Sequence, residues 1–430
     1  MSEQNTPLHE PDEVDADLHA AVVIDERPAE TQWSIVARQF RKNRAAVWGL
    51  RGAVVLMLLA IYAPVIASGL PLVWQAPGGE VEFPWFSKMF DVIYWENGVD
   101  RFFNLMMIAV PLGFLIQFGF KVFADERTWR RARTGVIAVT AVVAILQMLG
   151  WSALLTSNPY VDYRALEKQY EAQGVEFTSV RTQIPYGHRE QLPEPEDQFL
   201  GIMNFDRGEV HLLGTDEIGR DIFTRLIYGT RISLTVGLVA VAIYVTIGTI
   251  LGALAGFVGG WTDIAIMRAV EIVICIPGLF LILTIIALFG SRSIFMIMFA
   301  IGIVGWTGIA RLVRGEFIRE RGKEYVAAAK SLGISSGRTL FRHVLPNAVG
   351  PVIVAATFGV ASAIIVESTL SFLGLGDVSV PSWGQILDDG RKTMYWHLII
   401  PPGVAIFITV TLLNLVGDGL RDALDPKLRA

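Results

Sequence analysis

Residues 324–347 read EYVAAAKSLGISSGRTLFRHVLPN, a polar and basic island between apolar runs of membrane length. Tyr325, Val326, Ala329, Leu332 and Gly333 fall near helical spacing, with Lys323, Lys330, Arg338 and Arg342 distributed around them. The stretch begins at Glu324, and Ala327, Ala328 and Ala329 then give a thin helix surface that a partner's backbone can approach closely. Gly333 suits the left-handed conformation that stops a helix and turns the chain. Leu345 and Pro346 lead into the next membrane helix, whose first turn accommodates the proline. The pattern predicts a docking elbow; the plainer reading is an amphipathic surface helix.

Composition sets the class. The 430-residue chain is 53% hydrophobic and 18% charged, with mean hydropathy +0.48, too apolar for a soluble protein of this length. About eight segments reach the roughly 20 apolar residues that a span requires. They lie near 53–73, 103–123, 135–155, 233–256, 264–288, 294–312, 347–366 and 397–416. The expected fold is therefore an all-α polytopic membrane protein.

Basic clusters set the orientation. Arg38, Arg41, Lys42 and Arg44 precede the first span; Arg127, Arg130, Arg131 and Arg133 lie between the second and third; the 324–347 island is basic too. The Lys/Arg excess marks cytoplasmic loops, so all three belong on one side and both chain ends are expected in the cytoplasm. The loops assigned outside, 74–101 and 156–215, carry Glu80, Glu82, Asp91, Glu96, Glu167, Glu171, Glu194 and Glu196. Residues 1–32 are strongly acidic with little to bury and read as a disordered cytoplasmic tail. That tail lacks the charge and apolar pattern of a cleavable signal, so the first span reads as an uncleaved anchor. The single cysteine, Cys275, falls inside a span and reads as packing.

A second constellation, HLLGTDEIGRDIFTRLIYGTRISLTVGL, runs over 211–238. Asp216 suits the cap of a short interfacial helix whose apolar face is Ile222, Phe223, Leu226 and Ile227, with Arg220, Asp221 and Arg225 displayed elsewhere. Three further stretches are distinctive: ESTLSFLGLG from Glu367, PSWG from Pro381 and NLVGDGLRDALDP from Asn414. In the last, Asp418, Arg421, Asp422 and Asp425 sit at helical spacing, placed for exposed ion pairs of about 0–1 kcal/mol.

These motifs carry a family resemblance. The A-A-A-x-x-x-G of the elbow, followed by H-x-L-P, resembles the cytoplasmic loop of ABC-importer permeases. Gly214, Thr215, Asp216, Gly219, Arg220, Asp221, Arg225, Tyr228, Gly229, Arg231, Ser233 and Leu234 match the signature of the dipeptide, oligopeptide and nickel permease family. The chain looks like the second, C-type permease of such an importer. The family pattern usually carries Glu where this chain has Ala327, and Glu324 lies about one turn earlier.

The resemblance implies an ABC-importer type I permease fold in a bacterial cytoplasmic (inner) membrane, set in membrane lipid. It implies a homologous second permease subunit, two ABC ATPase subunits and an extracytoplasmic substrate-binding protein as partners, with the elbow coupled to an ATPase. It covers 40–73 loosely, within an expected cytoplasmic flank and first span at 33–73, and 211–430, the expected core domain, closely. Residues 74–210 then hold an inserted pair of spans and an extracytoplasmic loop. An even number of inserted spans preserves the orientation of all that follows, and the pair reads either as an accessory hairpin outside the core or as a brace for the first span.

Charges inside apolar runs are costly, about 2.5–3.5 kcal/mol at a helix centre. Arg268 and Glu271, three residues apart, are placed to pair; Glu367 sits near the outer end of its span, placed for a gate or for contact with a delivering protein. No catalytic constellation, metal-ligand spacing or cofactor motif is found, so no enzyme, metal or cofactor is expected. GISSGRT at 333–339 is one residue short of a phosphate loop and has Arg338 in place of its lysine. Basic residues gather at membrane flanks, which does not indicate nucleic acid. The competing classes are a self-sufficient secondary carrier or channel, and a structural membrane subunit of another complex.

The topology is testable. In a Cys275→Ser background, Arg130→Cys and Ser335→Cys should resist a membrane-impermeant thiol reagent added outside, and Gln173→Cys should react. Labelling at position 130 from outside removes the eight-span arrangement.

Overall fold

The computed structural model describes residues 32–123, 126–148, 160–191, 198–201, 203, 210–290 and 292–425. The expected tail, all but its last residue, therefore lies outside the described residues, as do the acidic run at 193–197, the end of the third apolar segment, and Pro426.

The chain is built from helices at every position where a span was expected. An amphipathic helix α1 (Gln32–Lys42) leads into α2 (Arg44–Ile61), whose N-cap Asn43 accepts from the Ala46 amide at 3.1 Å. This span begins nine residues and ends twelve residues before the hydropathy placement of 53–73, because Asn43 caps it and Pro64 opens a separate short helix α3 (Ala63–Ile66). Arg51 is tolerated within it: its guanidinium lies 5.1 Å over the Trp48 ring.

A short helix α4 (Pro84–Ser87) precedes α5 (Gly98–Phe123) and α6 (Glu126–Met148), which follow the inserted pair. Helix α7 (Tyr163–Gln173) lies in the connection between α6 and the core. The core then comprises α8 (Ile222–Val258), α9 (Gly260–Ile274), α10 (Gly278–Phe289) and α11 (Ile294–Arg321). It continues through the elbow helix α12 (Glu324–Ser331), α13 (Ser336–Thr339), a π-helical turn (Leu340–Val344) and α14 (Leu345–Phe372). Helices α15 (Trp383–Thr393) and α16 (Trp396–Leu424) close the chain. Six helical segments among the described residues are long and apolar enough to cross a membrane, seven if the bent pair α9–α10 counts as one, and α6 carries a shorter apolar stretch, Arg133–Val143.

Two expectations are corrected. The anticipated short interfacial helix at 222–227 is the start of the 37-residue α8, since no proline or helix stop intervenes before Gly259. The segment at 264–288 is two helices bent by 87°, because Pro277 has no amide to donate and interrupts the ladder. Cys275 sits at that bend and is exposed in the isolated chain, so it takes no part in the chain's own core.

Helices α8 and α11 form the central pair. A Cβ on Gly248 would lie 2.7 Å from Ile309 Cβ, one on Gly252 2.5 Å from the Ala310 carbonyl, and one on Gly256 2.7 Å from Phe317 Cβ. Recurring every fourth residue, these glycines let the two backbones close on each other. Ile297, Ala310 and Val313 on α11 are fully buried. Helix α16 packs on α2 in the same manner, with Gly49 against Leu415 and Gly417 against Phe358 of α14.

The segments expected outside, 74–101 and the described part of 156–215, fold into a layer over one end of the core. Strands β1 (Val73–Gln75), β2 (Val81–Glu82) and β3 (Thr178–Val180) form a sheet in the order β2-β1-β3, antiparallel throughout. Trp74 on β1 meets Tyr163 edge-on at 5.2 Å and Phe177 at 5.9 Å, which seats α7 on the sheet.

Candidate functional site

The elbow is held from inside. At the end of α11, Glu320 is buried and accepts Lys323 Nζ at 2.7 Å and the Tyr325 hydroxyl at 2.8 Å. Burial, reinforced by the bond to Glu320, raises the Tyr325 phenol above its ordinary range, so it remains a donor. Val326 and Ala329 face inward, whereas Glu324, Ala327 and Ala328 are exposed. Leu332 is 80% exposed and Phe341 69%, two large apolar groups that the chain itself leaves uncovered beside Arg338 and Arg342.

Gly333 has φ +74°, and its amide-bearing neighbour Ile334 donates to the Ala329 carbonyl at 3.0 Å, closing the helix end as its position predicts. Leu345 and Pro346 occupy the first turn of α14. Behind the elbow, α1, α11, α14 and α16 enclose a cavity of about 520 Å³ lined by Trp33, Glu320, Lys323, Pro346 and Arg421. Asp422, from the C-terminal charge cluster, accepts from Asn43 Nδ2 at 3.1 Å.

The second constellation collapses into one buried network at the opposite end of α8. The roles of its aspartates differ from the sequence expectation. Asp221 is the N-cap of α8, accepting from the Thr224 amide at 2.7 Å, and its other oxygen meets His211 Nδ1 at 2.9 Å. Asp216 instead anchors cations: Arg220 Nε at 2.6 Å and Arg225 Nη1 at 2.5 Å. Arg225 also reaches Asp389 on α15 at 3.0 Å, so Arg225, placed on a displayed face from sequence, is 1% exposed. Asp389 comes from 164 residues away, which no local pattern reveals. Thr215 is buried, and its hydroxyl accepts from the Leu200 amide at 2.9 Å. Gly214 (φ +80°) faces the Leu200 carbonyl so closely that no side chain fits, and Gly219 (φ +77°) donates to the Asp216 carbonyl at 3.1 Å.

The ESTLSF and PSWG motifs meet the same end of α8. Trp383 donates through Nε1 to the Leu226 carbonyl at 3.0 Å and fills the space over Gly229. Glu367 is fully buried and accepts from Ser371 Oγ at 2.7 Å. Buried there, it offers no surface to a delivering protein, which corrects that expectation. Arg268 and Glu271 pair at 2.6 Å on α9, and both are largely exposed.

Arg231 shows what the hydropathy pattern conceals. It is fully buried one turn below Ile227, donating to the Ala60 carbonyl at 2.7 Å, to Asp100 Oδ1 at 3.1 Å and to Asn104 Oδ1 at 3.0 Å. Helix α5 begins five residues before the expected span and so includes Asp100, which joins the inserted pair to the core motif. The signal was present: a buried arginine demands an acid, and Asp100 stands at the start of an apolar run. Above this pair His188 stacks on Tyr228 at 4.5 Å and on Trp95 at 6.0 Å. Burial lowers His188 to about 4, against the opposing pull of Asp100.

Comparison with known proteins agrees with these motifs. A family model for binding-protein-dependent transport system inner membrane components matches residues 248–430, and one for the N-terminal membrane domain of oligopeptide transport permease C matches 31–76. The glutathione transport system permease GsiD of Pectobacterium atrosepticum is 42% identical over 71% of this chain and 100% of its own. The oligopeptide permease OppC of Haemophilus influenzae is 46% identical over 51% of this chain and 71% of its own. The dipeptide permease DppC of Alkalihalophilus pseudofirmus is 43% identical over 51% and 73%. A solved inward-facing MetNI methionine ABC transporter aligns with TM-score 0.41 and 18% identity, over 47% of this chain and 96% of that one.

The buried His188 makes the outer layer sensitive to acid. Its native value near 4 lies below the ordinary 6.5. Between the two, the unfolded chain binds the extra proton, so this contribution is complete above pH 6.5 and is lost as pH falls toward 4. The loss amounts to at most about 3 kcal/mol. Thermal unfolding of the purified protein should show a larger drop from pH 7.5 to pH 5 than the His188→Phe variant shows; equal drops contradict the assignment.

Proposed function

The chain belongs to the family of binding-protein-dependent transport system inner membrane components, and we propose that it serves there as the second permease of a peptide importer. It is a multi-pass inner-membrane permease subunit of an ATP-driven ABC importer and not an enzyme; ATP hydrolysis lies in partner subunits. Its cargo is peptides or related small solutes, in keeping with the dipeptide, oligopeptide and glutathione permeases it resembles. In the assembly it pairs with a homologous permease, two ATPase subunits and an extracytoplasmic binding protein, with both of its ends in the cytoplasm.

The observation that carries the coupling assignment is the elbow itself. Helix α12 buries Val326 and Ala329 and is tied to α11 through Glu320 and Tyr325, and the elbow leaves Leu332, just past α12, and Phe341, in the π-helical turn, uncovered. A surface fixed on one side and apolar on the other suits an ATPase groove. Without a carboxylate at Ala327, contact there rests on shape and on these apolar groups. Movement of α12 is passed to α11 through Glu320 and to α14 through the π-helical turn, and both helices pack on α8. Alternating access then follows from the outer end of α8, where the buried Arg225 network holds α15. Residues 211–430 form the transport core, and the layer within 74–210 braces its outer end through Asp100.

Gly333→Val tests this role. A branched side chain at φ +74° strains the elbow, enough to weaken ATPase association about tenfold, while membrane insertion is unchanged. Normal co-purification and uptake by the variant contradict the coupling role.

A further inference from the structure

Glu367 is fully buried near the end of α14, and the partners of its carboxyl among the described residues are serine hydroxyls. Ser371 Oγ lies 2.7 Å from one oxygen and Ser368 Oγ 3.4 Å from the other. Ser382, the N-cap of α15, and Ser233 on α8 face the same group. Ser233 Oγ is buried and has no hydrogen-bond partner among the described residues. One carboxyl thus stands where α8, α14 and α15 converge, and backbones are close there too: a Cβ on Gly384 would lie 2.7 Å from Ser368 Cα.

The charges on the elements packed around it are engaged with one another. On α8, Arg225 holds Asp216 and Asp389, and Arg231 holds Asp100. On α15, Asp388 holds Arg391 and Lys392. On α16, His397 lies 3.4 Å from the Thr215 carbonyl, and the facing half of α11, residues 294–309, carries no titratable side chain. An ionised carboxylate left there with neutral donors alone would bear a desolvation cost of several kcal/mol. A neutral acid both donates and accepts, and its hydroxyl hydrogen supplies what the Ser233 oxygen lacks.

We propose that Glu367 works as a neutral carboxylic acid, a positioning residue whose proton completes a hydrogen-bonded knot joining α8, α14 and α15 at the outer end of the transport path. The proton is structural, and the knot holds the outer ends of three helices in register while the cytoplasmic elbow moves. Its place on the outer side rests on the importer reading above, whereas the protonation state does not.

Two measurements on the purified assembled transporter separate these levels. The infrared difference between wild type and Glu367→Gln at neutral pH should contain the carbonyl stretch of a protonated carboxylic acid; its absence overturns the proposal, whatever the transport result. Gln reproduces the neutral acid's shape and its donor and acceptor, so uptake by Glu367→Gln should stay within about threefold of wild type, while Glu367→Ala, which strands the Ser368 and Ser371 hydroxyls, should lose about tenfold or more. A Gln variant as impaired as Ala, or an Ala variant as active as wild type, overturns the positioning role. Failure of wild type itself to transport would refute the importer reading and leave the infrared result to decide the proton.

Discussion

Helices α8 and α11 lie against each other because Gly248, Gly252 and Gly256 present no Cβ to the Ile309–Phe317 surface. In a bilayer there is little hydrophobic gain from pairing two apolar helices, so close van der Waals contact has to supply the attraction. Everything else is arranged along this seam. One end of α11 runs into the elbow through Glu320, and the opposite end of α8 carries the Arg225 and Arg231 networks. Side chains at these glycines would separate the pair and detach the elbow from the outer cluster together.

The polar residues obey a second constraint, that a charge removed from water must find a partner. Arg225 takes Asp216 and Asp389, Arg231 takes Asp100 and Asn104, and Glu320 takes Lys323 and Tyr325. Removing one member of such a buried pair costs about 3–5 kcal/mol, because the survivor stays buried. These networks therefore specify which helices meet. The Arg231 pair has a particular consequence for the inserted helices. Their outer start is bonded to the core, whereas farther along α5 Leu112, Phe114 and Leu115 are exposed. The pair is thus more than an appended hairpin at one end and unpartnered at the other.

How much of this was legible depended on whether the signal was local. The elbow was legible because Gly333, the alanines and Pro346 act through backbone preferences that need no distant partner. The spans were legible from hydropathy, but their ends were not: Asn43 and Asp221 begin α2 and α8 outside the apolar windows, and Pro277 breaks a run that hydropathy joins. The aspartate roles were misassigned because both Asp216 and Asp221 are good caps locally, and only Arg225 and the distant Asp389 decide between them. Asp100 escaped notice because it precedes the apolar run. Family resemblance placed the motifs, and burial showed that three of them form one cluster.

The account stands or falls on where the energy for transport comes from. Among the described residues, the one bent span, at Cys275–Pro277, has neighbouring charges Arg268 and Glu271 that pair with each other. The decisive measurement is accumulation of a labelled peptide by proteoliposomes containing the assembled complex and its binding protein. Uptake that requires ATP and disappears with a hydrolysis-dead ATPase subunit is predicted. Accumulation driven by an ion gradient without ATP, or unchanged with the dead subunit, would contradict it.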